Sequence, residues 1–141
     1  MRFAILEDDA RRREAMARVL AELPHVRATL FDSAPAMVRW LEAHLDECTL
    51  ISLDNDLVPL ASGEDPGEGR HVADWLAERA PVCPVVVHTS NPMAAPSMML
   101  TLELAGWVPE RIPPFDDVGW IETAWARFVR ERLGDTPTAS A

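Results

Sequence analysis

Five short apolar runs alternate with five stretches of helical periodicity, and this alternation constrains the fold more than any other feature of the chain. The runs are Arg2 to Leu6, His25 to Phe31, Thr49 to Leu53, Pro84 to Val87 and Trp107 to Ile112. Strands that alternate with helices form a parallel sheet covered on both faces, because each crossover returns the chain right-handed over the sheet. The expected architecture is α/β: a flavodoxin-like three-layer αβα sandwich whose five-stranded parallel sheet has the order 2-1-3-4-5. A length of 141 residues suits one domain rather than two. That domain is expected to span residues 1–133, with a small polar, disordered tail at 134–141.

The intervening stretches carry apolar stripes at helical spacing. The first helix, about Ala10 to Leu23, presents Ala15, Met16, Val19, Leu20 and Leu23. Arg11, Arg12, Arg13 and Arg18 fall largely off that stripe and read as a solvated face. Asp32 or Ser33 is placed to cap a second helix, which runs to about Leu45 with Met37, Trp40, Leu41 and Leu45 inward. The third starts at Gly69 with Val72, Trp75 and Leu76 as its stripe, and His71 near its start reads as a surface residue. Ser90 or Asn91 is placed to cap a fourth, with Pro92 or Pro96 in its first turn and Met98, Met99, Leu102 and Leu104 as its apolar mass. Asp116 or Asp117 is expected to cap a fifth, with Ile121, Trp125, Phe128 and Val129 buried. Pro109 marks the last strand as an edge, and Val58 to Glu68 has the composition of a mobile loop.

Charge narrows the function classes. The net charge is −10, all 13 basic residues are arginine, and there is no lysine. An extended nucleic-acid backbone needs many basic contacts, so it is excluded as a partner. A small phosphorylated molecule or a nucleic-acid end is compatible where a cation mediates. No apolar run approaches the roughly 20 residues that span a bilayer, and the N-terminus does not read as a signal peptide. Cys48 and Cys83 have neither metal nor redox spacing and read as buried reduced thiols of a cytoplasmic protein.

The chemistry is concentrated where two apolar runs end in acids. The first run closes in Glu7, Asp8 and Asp9, the third in Asp54, Asn55 and Asp56. In the expected strand order these runs are neighbours, roughly 4.8 Å apart, so Glu7, Asp8 and Asp54 converge at one carboxyl edge. Carboxylates that close repel unless a proton or a cation joins them. Oxygen ligands with an open side suit Mg²⁺.

The segments Ala-Ile-Leu-Glu-Asp-Asp, Leu-Asp54 and Val-Val-Val-His-Thr89-Ser resemble the receiver domain of bacterial two-component response regulators. The resemblance covers nearly the whole chain. It implies Mg²⁺ held by Glu7, Asp8, Asp54 and the carbonyl of Asp56, Asp54 as phosphoacceptor, and Thr89 against the phosphoryl group. Receivers carry a lysine after strand 5, in Lys-Pro-Phe, whereas this chain has Ile112-Pro113-Pro114-Phe115. Ser52-Leu-Asp-Asn55-Asp-Leu57 and His88-Thr-Ser-Asn91-Pro92 bring it closer to a divergent branch, the cyclic-phosphate processing receiver domain. That branch usually has histidine where Asn55 stands.

This second resemblance implies a metal-dependent phosphoesterase that opens a 2′,3′-cyclic phosphate or similar ester. Mg²⁺ would neutralise the phosphoryl charge, His88 would supply the leaving-group proton, Thr89 and Asn91 would bind phosphoryl oxygens, and Arg70 would clamp the phosphate. Alternation of side chains along a strand puts His88 and Thr89 on opposite faces, and Asn91 also suits an N-cap. Two other classes fit the scaffold: a phosphoacceptor receiver modified on Asp54, and a non-catalytic module that meets a protein partner through helix 4, strand 5 and helix 5.

Overall fold

The strands of the computed structural model, which describes residues 1–134, are β1 (Arg2–Leu6), β2 (Arg27–Phe31), β3 (Cys48–Leu53), β4 (Val85–Val87) and β5 (Pro109–Arg111). They form one sheet, all parallel, in the order β2-β1-β3-β4-β5, as the alternation implies. The helices are α1 (Ala10–Ala21), α2 (Ala34–His44), α3 (Gly69–Ala77), α4 (Ala94–Leu104) and α5 (Ala126–Arg132). The tail expected at 134–141 lies, beyond Gly134, outside the described residues.

Side-chain alternation sorts the strands into two cores. Ala4, Leu6, Ile51, Leu53, Val85 and Val87 pack with α2, α3 and α4. Phe3, Ile5, Leu50 and Val86 pack with α1 and α5. The strands of the sheet's centre are buried on both faces, which is why they read as unbroken apolar runs.

Side chains cap the first two helices, with Ser33 one of the two residues expected to cap the second. Asp9 accepts the Arg12 N–H at the start of α1, and Ser33 accepts the Ala36 N–H at the start of α2. The fifth helix departs from expectation. Asp116 and Asp117 do not cap it but adopt left-handed φ values of 53° and 55°. A π-helical turn, Ile121–Trp125, then leads into α5. Leu104 is also exposed, and Ala94 and Ala95 fill the buried face of α4 instead. The loop after β3 is anchored, since Val58 N–H bonds to Asp8 and the Pro66 carbonyl accepts from Ala34 N–H at 2.7 Å.

Cys48 is buried, Cys83 is half-buried, and both are free thiols. Burial pushes them up to about 11 and about 12, so both are protonated and poorly nucleophilic near neutral pH. Among the described residues, no helix is long and apolar enough to cross a membrane.

Candidate functional site

The hydrogen-bond ladder of the sheet continues one step past the strands and sets three residues level. Asp54 N–H bonds to the Leu6 carbonyl, and His88 N–H bonds to the Leu53 carbonyl. Alternation does the rest. Glu7 follows Ile5, Asp54 follows Ser52, and His88 follows Val86, so all three side chains continue the rows that face α1 and α5. One donor atom from each of Glu7, Asp54 and His88 lies within 4.8 Å of the others. All three side chains are buried.

His88 is therefore the residue that shares a face with the acids, and Thr89 is not. Its Nε2 lies 3.1 Å from Glu7 Oε1, and its Nδ1 lies 2.8 Å from Ser52 Oγ. Trp125 Nε1 donates to the same Ser52 oxygen at 3.1 Å. An indole nitrogen can only donate, so Ser52 Oγ accepts from Trp125, and an ionised Glu7 carboxylate can only accept, so His88 Nε2 carries the hydrogen between them. The imidazole also stacks on Trp120, with ring centroids 5.4 Å apart. With 0 % exposure and both nitrogens bonded, His88 has no free atom to offer a substrate oxygen.

The two acids differ in their proton affinity. Burial drives the Asp54 carboxyl up, the charge of Glu7 adds to it, and His88, the Asn55 N–H and Arg12 offset part, leaving it at about 6. Burial would raise Glu7 too. Its hydrogen bond to His88, that ring's charge, the Asp9 N–H and Arg12 outweigh burial, so its carboxyl sits below the usual range.

Arg12 was expected on a solvated face, yet it turns inward. Its Nη1 lies 3.7 Å from Glu7 Oε1 and 3.8 Å from Asp54 Oδ2, and its guanidinium lies over the Trp120 ring at 5.7 Å. Helical periodicity alone does not reveal this, since it places Arg12 off the apolar stripe of α1.

The remaining candidate residues form a second, separate cluster. Asn55 Oδ1 accepts the Arg70 N–H at the start of α3, and Asn55 Nδ2 donates to Asp56. Asn91 Nδ2 donates to both Asp56 oxygens, while Asn91 Oδ1 accepts the Met93 and Ala94 N–H groups at the start of α4. This clasp joins the two helix starts. Asn91 thus performs the capping task, and the Asp56 carboxylate is engaged within the clasp rather than turned to the acids. Asp8 accepts the Val58 N–H. Thr89 Oγ1 accepts the Asn91 N–H, and the Thr89 carbonyl is held by Arg111 at 3.0 Å.

Gly69 lets α3 approach this edge. A Cβ there would lie 1.7 Å from the Asp54 carbonyl oxygen, so only glycine fits. Arg70 is half-exposed beside Glu68 and helps line a cavity of about 360 Å³ with Asn55, Asn91 and Ser97.

Residues 3–104 match a family described as the cyclic-phosphate processing receiver domain. Solved structures of similar fold include the phosphorylated cyanobacterial phytochrome response regulator RcpA, 14% identical, with a TM-score of 0.72 over 96% of this chain and 95% of that one. Another is a response regulator receiver domain from Rhodospirillum rubrum, 13% identical, TM-score 0.68, covering 96% and 95%. The Mn²⁺-bound form of response regulator Rcp1 is 15% identical, with a TM-score of 0.66 over 99% of each chain. No curated protein sequence matches.

Proposed function

Because the chain belongs to the cyclic-phosphate processing receiver domain family, we propose that it is a divalent-metal-dependent phosphoesterase acting on a 2′,3′-cyclic phosphate or a similar small phosphoester. One observation carries this: two buried carboxylates, Glu7 and Asp54, stand with His88 inside 4.8 Å at the carboxyl edge.

The donors fit a divalent cation. Arg12 sits nearly 4 Å from each of two buried carboxylates, which leaves their repulsion only partly offset, and burial together with the Glu7 charge pushes the Asp54 carboxyl up to about 6. Glu7 and Asp54 would hold the ion, with Asp8 at the rim and the Asp56 carbonyl as the expected backbone ligand. Carboxylate and carbonyl oxygens suit Mg²⁺ or Mn²⁺. When bound, such an ion supplies charge neutralisation for phosphoryl oxygens and an acidified water.

The chain's own residues do the positioning. His88 acts through Glu7, holding that carboxylate ionised and oriented, and its expected part as direct proton donor is replaced by this one. Thr89, buried on the other face, holds the turn before α4 by accepting the Asn91 N–H, and this replaces its expected contact with a phosphoryl oxygen. Arg70 and the cavity between the starts of α3 and α4 take the sugar and base. Ring opening forms one P–O bond from water and breaks one to the sugar. Water loses a proton, and the leaving sugar oxygen gains one.

The test is incubation of purified protein with Mg²⁺ or Mn²⁺ and a panel of 2′,3′-cyclic nucleotides and cyclic-phosphate RNA ends. Metal-dependent ring opening, lost in Asp54→Asn, is expected. No turnover on any of them overturns the phosphoesterase assignment. A phosphate-sized mass gain from acetyl phosphate, absent in Asp54→Asn, would instead identify Asp54 as a phosphoacceptor.

A further inference from the structure

We infer that Arg12 is the resident counter-cation of the acid site, which a divalent metal displaces and which then pairs with the substrate's phosphoryl group. The inference rests on the metal-site reading above and adds a residue to it.

The argument begins with charge. Glu7, Asp8 and Asp54 bring three carboxylates to one edge, and Arg12 is the arginine within 4 Å of both Glu7 and Asp54. With Arg12 in place, the carboxylates still outnumber the one arginine that reaches them, so the edge favours a further cation. A guanidinium nearly 4 Å from each carboxylate makes a weak ion pair with both, without close hydrogen bonding to either. Such a group holds the acids together in the metal-free protein and yields when a compact double charge arrives.

Geometry determines where it goes. The guanidinium lies over Trp120, itself stacked on His88, so the indole steadies it at the rim of the site. Its side chain is 24% exposed, whereas both carboxylates lie deeper. A planar fork of N–H donors at the rim, next to a metal, is suited to bidentate capture of a phosphoryl group. The other arginines near the edge are placed differently. Arg111 is committed to the Thr89 carbonyl, and Arg70 sits across the clasp beside Glu68. Arg12 therefore supplies, from α1, the cation that a chain without lysine cannot supply after β5.

The test separates the two affinities. Calorimetric titration with MgCl₂ alone, then with the slowly hydrolysed phosphorothioate of 2′,3′-cyclic AMP in saturating Mg²⁺, is run on wild type, Arg12→Gln, Arg12→Lys and Arg11→Gln. Arg11 neighbours Arg12 in sequence but pairs with Asp117 at the surface, so Arg11→Gln removes the same net charge without touching the site. Arg12→Gln is expected to bind Mg²⁺ about tenfold more tightly and the cyclic nucleotide about tenfold more weakly. Arg12→Lys should restore part of the nucleotide affinity, and Arg11→Gln should match wild type in both. Thermal melts confirm that each variant is folded. Wild type that binds Mg²⁺ while Arg12→Gln binds it equally or less well overturns the role of Arg12 and leaves the metal site standing. Absence of Mg²⁺ binding in wild type and Arg12→Gln alike overturns both.

Discussion

The amide clasp of Asn55, Asp56 and Asn91 and the acid cluster of Glu7, Asp54 and His88 are built from the turns after β3 and β4, with Glu7 added from β1. In the clasp, each side-chain oxygen and nitrogen has a hydrogen-bond partner, and the bonds end on backbone N–H groups of α3 and α4. In the acid cluster, Asp54 Oδ2 meets only a distant guanidinium, and its carboxyl is pushed up to about 6. A satisfied polar network fixes a structure. A buried acid held against its own repulsion stores an unfavourable interaction that a ligand can relieve. The comparison therefore assigns architecture to one cluster and chemistry to the other, although they are adjacent in sequence.

The sharpest way to break that assignment is Asp54→Asn. Turnover of a cyclic phosphate should fall by about a thousandfold. The metal-free variant should melt no earlier than wild type at pH 7.5, because a buried carboxylate has been removed. Calorimetry and chromatographic separation of the cyclic phosphate from its ring-opened monoester check both halves. An early melt with turnover retained would place Asp54 among the structural residues.

Gly69→Ala strikes the point where the clusters meet. The added methyl would overlap the Asp54 carbonyl oxygen, which is backbone and cannot swing away. A loss of about 3 kcal/mol in urea unfolding is expected. A loss under about 1 kcal/mol would mean that α3 can retreat from the sheet edge at little cost.

How much of this was legible in the sequence follows from range. The strand order and the convergence of Glu7 with Asp54 could be read because an apolar run that stops in acids is a local signal, and parallel topology then makes neighbours of the first and third runs. The inward turn of Arg12 could not, because the periodicity of α1 places that residue off the apolar stripe. What draws it in, besides nearby Glu7, is the Asp54 carboxylate from distant β3 and an indole from the helix-5 region. The clasp was half visible: Asn91 suited a cap, whereas the role of Asn55 depends on where α3 begins, fourteen residues beyond it. The left-handed Asp116 and Asp117 and the π turn after them left no pattern that favoured them over a simple Asp cap.

Titration sharpens the comparison through the opposite signs of the two acids. The folded-state affinity of Asp54 for its proton is raised, so its contribution to stability is full below about pH 4 and is lost as the pH rises through about 6. Glu7 is lowered, so its contribution is present above its unfolded value and is lost as the pH falls into the acid range. Stability measured as the difference between wild type and Asp54→Asn isolates the first. Relative to the variant, metal-free wild type should lose about 2 kcal/mol between pH 4 and pH 7. Saturating Mg²⁺ should remove that loss. A flat difference would mean that Asp54 is already compensated in the apo protein.

The smallest expected effect tests the other cluster. Asn91→Ala removes the acceptor for the Met93 and Ala94 N–H groups and the donor to both Asp56 oxygens. The helix start can recover water as a partner because it lies near the surface, and Asp56 keeps Asn55. The loss should therefore be that of an N-cap, about 1 kcal/mol. Mg²⁺ affinity should stay within about twofold of wild type, because no bond of Asn91 reaches Glu7 or Asp54. A metal affinity that falls tenfold while stability barely changes would mean that the clasp sets the acid geometry, with Thr89 as the link through its bond to the Asn91 N–H. The two clusters would then be one site, and the line drawn between architecture and chemistry would lie in the wrong place.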